Sequence, residues 1–157
     1  MNQKILLVED NPYKQSRILD FLNSLDGSIQ ITTAASFTSA CQRVLEQDFT
    51  LIVLDVSLPT YDRSASDSGG KFRILAGREI ARKLTRAKSK TKIVFLTQYS
   101  SFSDKGNSYT FDSLAKQLRL DCGDSFVGMV FFDATSALWK EALESIVKEI
   151  KYENNNL

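Results

Sequence analysis

The sequence predicts an α/β fold, a doubly wound five-stranded parallel sheet with helices on both faces. Two observations carry this. Short continuous apolar runs, Ile5–Val8, Leu51–Leu54 and Ile93–Leu96, have the length and composition of strands buried on both faces. Between them apolar residues recur at helical spacing, so strands and helices alternate, as a parallel sheet with crossover helices requires. With 157 residues and 43% apolar content the chain is expected to build one core without disulfide or metal staples.

The elements follow in order. After Ile5–Val8, Asn11-Pro12 marks a helix start, and Ile18, Phe21, Leu22 and Leu25 form an apolar stripe that Gly27 closes. Residues 29–33 read as a second strand. A helix over 37–47 places Ala40, Cys41, Val44 and Leu45 inward. The third strand, Leu51–Leu54, ends on Asp55. The next helix is delayed by the aperiodic stretch 60–70, so the region 60–74 is expected to be an inserted, mobile flap, because such loops usually take about 2–6 residues. Helical spacing returns at Leu75, Ile80, Ala81 and Leu84. The fourth strand ends on Thr97, and a polar loop over 98–107 precedes a helix near 111–118. Residues 126–132 read as the fifth strand. Residues 137–150 read as a last helix with Leu138, Ala142, Ile146 and Ile150 on one face. One domain is expected over 1–152, with 153–157 a frayed tail.

Composition removes much chemistry. Histidine is absent, which excludes Ser-His-Asp and Cys-His catalysis, His-ligated zinc and a phosphohistidine of the chain's own. The two cysteines, Cys41 and Cys122, form no CxxC and are expected to pack as small apolar groups. A net charge of +1 gives no overall pull toward nucleic acid. No apolar run nears the about 18–20 residues that span a bilayer, and the N-terminal segment lacks a signal-peptide core, so a cytoplasmic chain without membrane contact is expected.

In doubly wound sheets the site lies beyond the carboxyl ends of the strands, at the topological switch point. Those ends carry Glu9-Asp10, Asp55 and Thr97. Three carboxylates meeting at one edge repel each other unless a cation sits between them, and hard oxygen ligands suit Mg²⁺. The Thr97 hydroxyl could donate to an oxygen of a phosphoryl group. The plain alternative is solvated loop-capping acids. Other phosphate folds fail locally: Gly69-Gly70-Lys71 lacks the spacing and the preceding strand of a Walker A loop. Glu9-Asp10 would repel a flavin phosphate, and Glu-Asp-Asn is not the aspartate pair of haloacid-type phosphatases.

These residues give the chain its resemblance to the receiver domain of two-component response regulators. The text that carries it is Ile5-Leu6-Leu7-Val8-Glu9-Asp10-Asn11, Leu51-Ile52-Val53-Leu54-Asp55-Val56-Ser57-Leu58-Pro59, Gly77 at the opening of the third helix, and Ile93-Val94-Phe95-Leu96-Thr97. The resemblance implies a flavodoxin-like sheet of order 2-1-3-4-5. It makes Asp55 the phosphoacceptor. It has Mg²⁺ held by Glu9, Asp10, Asp55 and the carbonyl of Ser57, with Thr97 on the phosphoryl oxygens. The implied donor is a histidine kinase, a histidine phosphotransfer protein or a small donor such as acetyl phosphate. The only reactions implied are the chain's own phosphorylation and dephosphorylation. A homodimer is compatible with the resemblance.

Two features depart from an ordinary receiver, and the charge distribution along the chain is uneven. The family carries a lysine at the end of the fifth strand, three residues after an aromatic. Aligning Phe126 puts Met129 there, and neighbouring registers give Val130 or Phe131. Gln98 is larger than the residue usual after Thr97. The segment from Lys71 to Lys92 holds nine cations and one acid, expected mainly as a solvated helix face. With the residues used up by the receiver, the expected role is a stand-alone phosphate intermediate or sink. The alternatives are a degenerate receiver serving as a protein-interaction module, and a phosphatase acting on outside substrates.

Overall fold

The computed structural model describes residues 2–156. Strands β1 (Lys4–Val8), β2 (Gln30–Ala34) and β3 (Leu51–Leu54) alternate with helices α1 (Pro12–Leu25) and α2 (Phe37–Glu46). Short strands β4 (Leu58–Pro59) and β5 (Phe72–Arg73) precede α3 (Ala76–Arg86) and β6 (Lys92–Thr97). The hairpin β7 (Ser101–Asp104) and β8 (Asn107–Thr110) leads to α4 (Phe111–Cys122), β9 (Phe126–Phe131) and α5 (Leu138–Asn155). The main sheet is parallel, in the order β2-β1-β3-β6-β9. Counting only its five strands, that is 2-1-3-4-5.

The continuous apolar runs are buried on both faces because each strand alternates between two cores. Leu6, Val8, Ile52, Leu54, Ile93 and Phe95 face α2, α3 and α4. Ile5, Leu7, Leu51, Val53, Val94 and Leu96 face α1 and α5. Asn11 caps α1 by accepting the Lys14 N–H, with Pro12 as its first residue.

Several elements differ from the sequence expectation. Leu45 is 87% exposed, because Phe37, Ala40, Cys41 and Val44 fill the contact with the sheet and Leu45 sits in the last turn of α2. Region 60–74, expected as an inserted, mobile flap, forms an arm whose two sides are paired. Leu58 and Pro59 pair antiparallel with Arg73 and Phe72, and the ladder continues through Thr60 N–H to Lys71 and Tyr61 N–H to Gly69. At Gly69, with φ +93°, a Cβ would strike the Tyr61 carbonyl at 2.7 Å, so the arm needs glycine there. The polar loop expected over 98–107 is largely the β7–β8 hairpin, closed by Lys105-Gly106 with both φ positive.

The buried stripe of α5 is Trp139, Leu143, Val147 and Ile150, while Leu138 is 72% exposed. Strict four-residue steps overshoot a helical turn by about 40° each, so the stripe read from Leu138 starts off the core-facing line and reaches it only at Ile150, which is buried. The tail expected to fray at 153–157 is helical as far as Asn155; Leu157 lies outside the described residues. No helix among the described residues is long and apolar enough to cross a membrane.

Candidate functional site

Parallel register brings the strand ends level. Val8 pairs with Leu54, and Leu54 with Phe95, so Glu9, Asp55 and Leu96 emerge side by side with Asp10 and Thr97 one step further on. Carboxylate oxygens of Glu9, Asp10 and Asp55 lie within 4.8 Å of one another. That donor set, all hard carboxylate oxygen, fits Mg²⁺. Thr97 is fully buried, and its hydroxyl oxygen accepts the Tyr99 N–H at 3.2 Å. Ser57 is buried two residues beyond Asp55, and its hydroxyl donates to the Ile74 carbonyl.

The backbone fixes the Asp55 carboxylate. Asp55 Oδ1 accepts the Val56 N–H at 2.8 Å. Gly77 lets α3 approach, since a Cβ there would lie 2.4 Å from the Asp55 carbonyl oxygen. Glu9 Oε1 accepts the Asn11 N–H at 3.1 Å. Burial, reinforced by the charge of Asp55, pushes the Glu9 carboxyl well above the usual carboxylate range, and Lys14 opposes the rise. Asp10 is also raised, chiefly by burial, with Arg63 pulling the other way and Asp55 adding to the rise.

Two cations at the site escaped the sequence reading. Lys14, from the first turns of α1, places its ammonium 2.8 Å from Glu9 Oε2 and 3.4 Å from Asp55 Oδ2, and donates to the Leu96 carbonyl at 3.0 Å. A signal existed: Lys14, Ile18 and Leu22 are four residues apart on one buried stripe. Arg63 reaches in from the arm to Asp10 at 2.9 Å. Nothing in its polar surroundings in the sequence marks it.

The end of the fifth sheet strand needs a correction. Of the three registers open in the sequence, the one that sets Phe131 beside Thr97 is adopted, while Met129 pairs with Phe95 and packs against the core. The register shifts after Ile93, which pairs with Phe126 whereas Val94 pairs with Gly128. Counting residues from Phe126 does not register that bulge. Gln98 is exposed beside Tyr99. The basic segment is partly tied down: Arg78 and Arg82 pair with Asp121 of α4 at 2.7 and 3.3 Å, and Arg73 with Glu79 at 3.3 Å. Burial raises both cysteine thiols, as suits packing groups.

Comparison with known proteins bears on this edge. The family model for the response regulator receiver domain matches residues 5–119. Over 149 residues the chain is 30% identical to the Detocs response regulatory protein DtcB of Enterobacter cloacae (strain JD6301), covering 94% of this chain and 99% of that protein. A CheY-like receiver domain protein from Methanospirillum hungatei JF-1 superposes with a TM-score of 0.67 at 15% identity, over 100% of both chains. The response regulator TrrA from Thermotoga maritima, solved in complex with Mg(2+)-BeF, superposes with a TM-score of 0.61 at 21% identity, over 94% of this chain and 98% of that one.

Proposed function

The chain belongs to the response regulator receiver domain family, and from that premise we propose that it accepts a phosphoryl group on Asp55 and acts as a phosphate intermediate or sink in a two-component phosphorelay. The observation that carries this reading is the meeting of Glu9, Asp10 and Asp55 within 4.8 Å at the switch-point edge. Glu9, Asp10, Asp55 and the Ser57 carbonyl would hold Mg²⁺. When bound, the ion neutralises charge on the transferring group and orients it.

With no histidine in the chain, the donor is a partner's phosphohistidine, on a histidine kinase or a phosphotransfer protein, or a small acyl phosphate. An Asp55 carboxylate oxygen attacks phosphorus in line. The donor's P–N bond breaks, and its electron pair returns to the imidazole nitrogen, which takes up a proton. The Thr97 hydroxyl would donate to a phosphoryl oxygen. Loss of the group is attack by water on phosphorus, with the Asp55 carboxylate leaving. The chain therefore turns over only its own acyl phosphate.

The sink role is favoured by Phe131 standing beside Thr97. A modification shifts a conformational equilibrium only through differential affinity for the two states. β9 offers no charged side chain at that position to engage the phosphoryl group alone. One observation favours the second reading, a phosphorylation-independent interaction module: the Lys14 ammonium already bridges Glu9 and Asp55. Intact mass after incubation with acetyl phosphate and Mg²⁺ separates the two. The expected result is one phosphoryl adduct, absent in Asp55→Asn; an unmodified wild type supports the interaction module.

A further inference from the structure

We infer that Lys14 is the cation that contacts the phosphoryl group in this chain, taking from α1 the place that no lysine fills at the end of β9. The inference rests on the reading of Asp55 as phosphoacceptor and names the residue that holds the product. Lys14 is 1% exposed, yet its ammonium finds three oxygen partners, Glu9, Asp55 and the Leu96 carbonyl. These come from the ends of β1, β3 and β6, so the ammonium sits where the three central strands open onto the site. Phe132 walls it in, with its ring centroid 5.7 Å from Nζ. Burying a lysine is costly unless it is paired, and a methionine or leucine at this position would continue the Ile18 and Leu22 stripe. The position instead carries a charge aimed at the acceptor carboxylate.

Lys14 is paired with Asp55 before any phosphoryl arrives, so a cation engages the acceptor in both states. On phosphorylation the ammonium has to exchange a carboxylate oxygen for a phosphoryl oxygen beyond the phosphorus, a local move of one flexible side chain. The group is stabilised, and any displacement runs into α1 and the Leu96 backbone, leaving β9 and α4 in place. That is the behaviour of a site that stores phosphate.

The test uses the full chain with Mg²⁺ alone and with Mg²⁺ and beryllofluoride, the phosphoryl mimic. The lone tryptophan, Trp139, reports by fluorescence, because its ring packs 5.0 Å from Phe132. Lys14→Met should raise Mg²⁺ affinity, because it frees Glu9 and Asp55 from a competing cation. It should weaken beryllofluoride binding about tenfold or more, as loss of a charge-assisted contact implies. Lys14→Arg should recover much of the loss. In amide spectra of the wild type, beryllofluoride should perturb residues 14–22 and 96–97 while the β9 and α4 amides stay in place.

Wild-type beryllofluoride affinity in folded Lys14→Met, or perturbation centred on β9 and α4, overturns the inference and leaves Asp55 phosphorylation standing. A wild type that takes neither beryllofluoride nor an acetyl phosphate adduct overturns both. Should Lys14→Met fail to fold, Lys14→Gln, which keeps a donor without the charge, carries the same comparison.

Discussion

At the scale of single residues, Gly77 and Asp26 show how much rests on one contact. Gly77 lies against the Asp55 carbonyl, where a methyl group would come within 2.4 Å. Gly77→Ala must push α3 off the strand end that presents Asp55. It is expected to cost about 1–3 kcal/mol in denaturant unfolding, the usual range for overpacking, and to lower the yield of the Asp55 adduct. An adduct yield and stability equal to wild type would show that α3 can retreat freely. Asp26, the C-cap of α1, pairs with Lys151 of α5, and that hydrogen bond together with the Ser28 N–H holds its carboxyl down at about 2. A depressed carboxyl contributes stability above its unfolded value and loses it as pH falls through the folded one. The stability difference between wild type and Asp26→Asn should be steady near neutral pH, decline as pH falls from about 4, and vanish near about 2. Because the pair is partly open to solvent, salt should shrink the difference.

At the scale of elements, α5 separates what periodicity can show from what packing decides. Its amphipathic character is legible in the sequence, but the stripe that meets the sheet is one residue out of phase with the stripe read from Leu138 until the two meet at Ile150. Leu143→Ala, fully buried between β9 and α1, is expected to cost about 2–5 kcal/mol. Leu138→Ala should stay within about 0.5 kcal/mol. Equal costs in paired unfolding curves would return the inward face to Leu138. The β7–β8 hairpin was illegible for a different reason. Each of its strands contributes one buried or half-buried aromatic, Phe102 and Tyr109, so no alternation rises above the polar background. Its Lys-Gly turn is a weaker marker than Asn-Gly. The arm over 58–73 is held by backbone pairing and by Arg63 on Asp10, contacts to which side-chain polarity gives no clue.

At the scale of the whole chain, the site is a repulsive cluster that the fold holds together, so a cation that binds there should stabilise the fold. Mg²⁺ at about a hundred times its Kd should add about 2.7 kcal/mol to wild-type unfolding. Asp10→Asn, one ligand short, should gain less at the same concentration. Mg²⁺-independent melting of the wild type would remove the metal site. The alternation of strands and helices, the strand ends where chemistry had to lie, and the acids Glu9, Asp10 and Asp55 with Thr97 are all legible in the linear chain. Each of these is local, set by the apolar period or by the residue that ends an apolar run. Which cation answers those acids is a tertiary matter, because it depends on register and on which face of α1 meets the sheet. Lys14 and Asp55 are far apart in the chain and adjacent in space, and the bulge near Gly128 moves Met129 away from Thr97. Charge complementarity is settled across strands, where a one-dimensional pattern carries no distance.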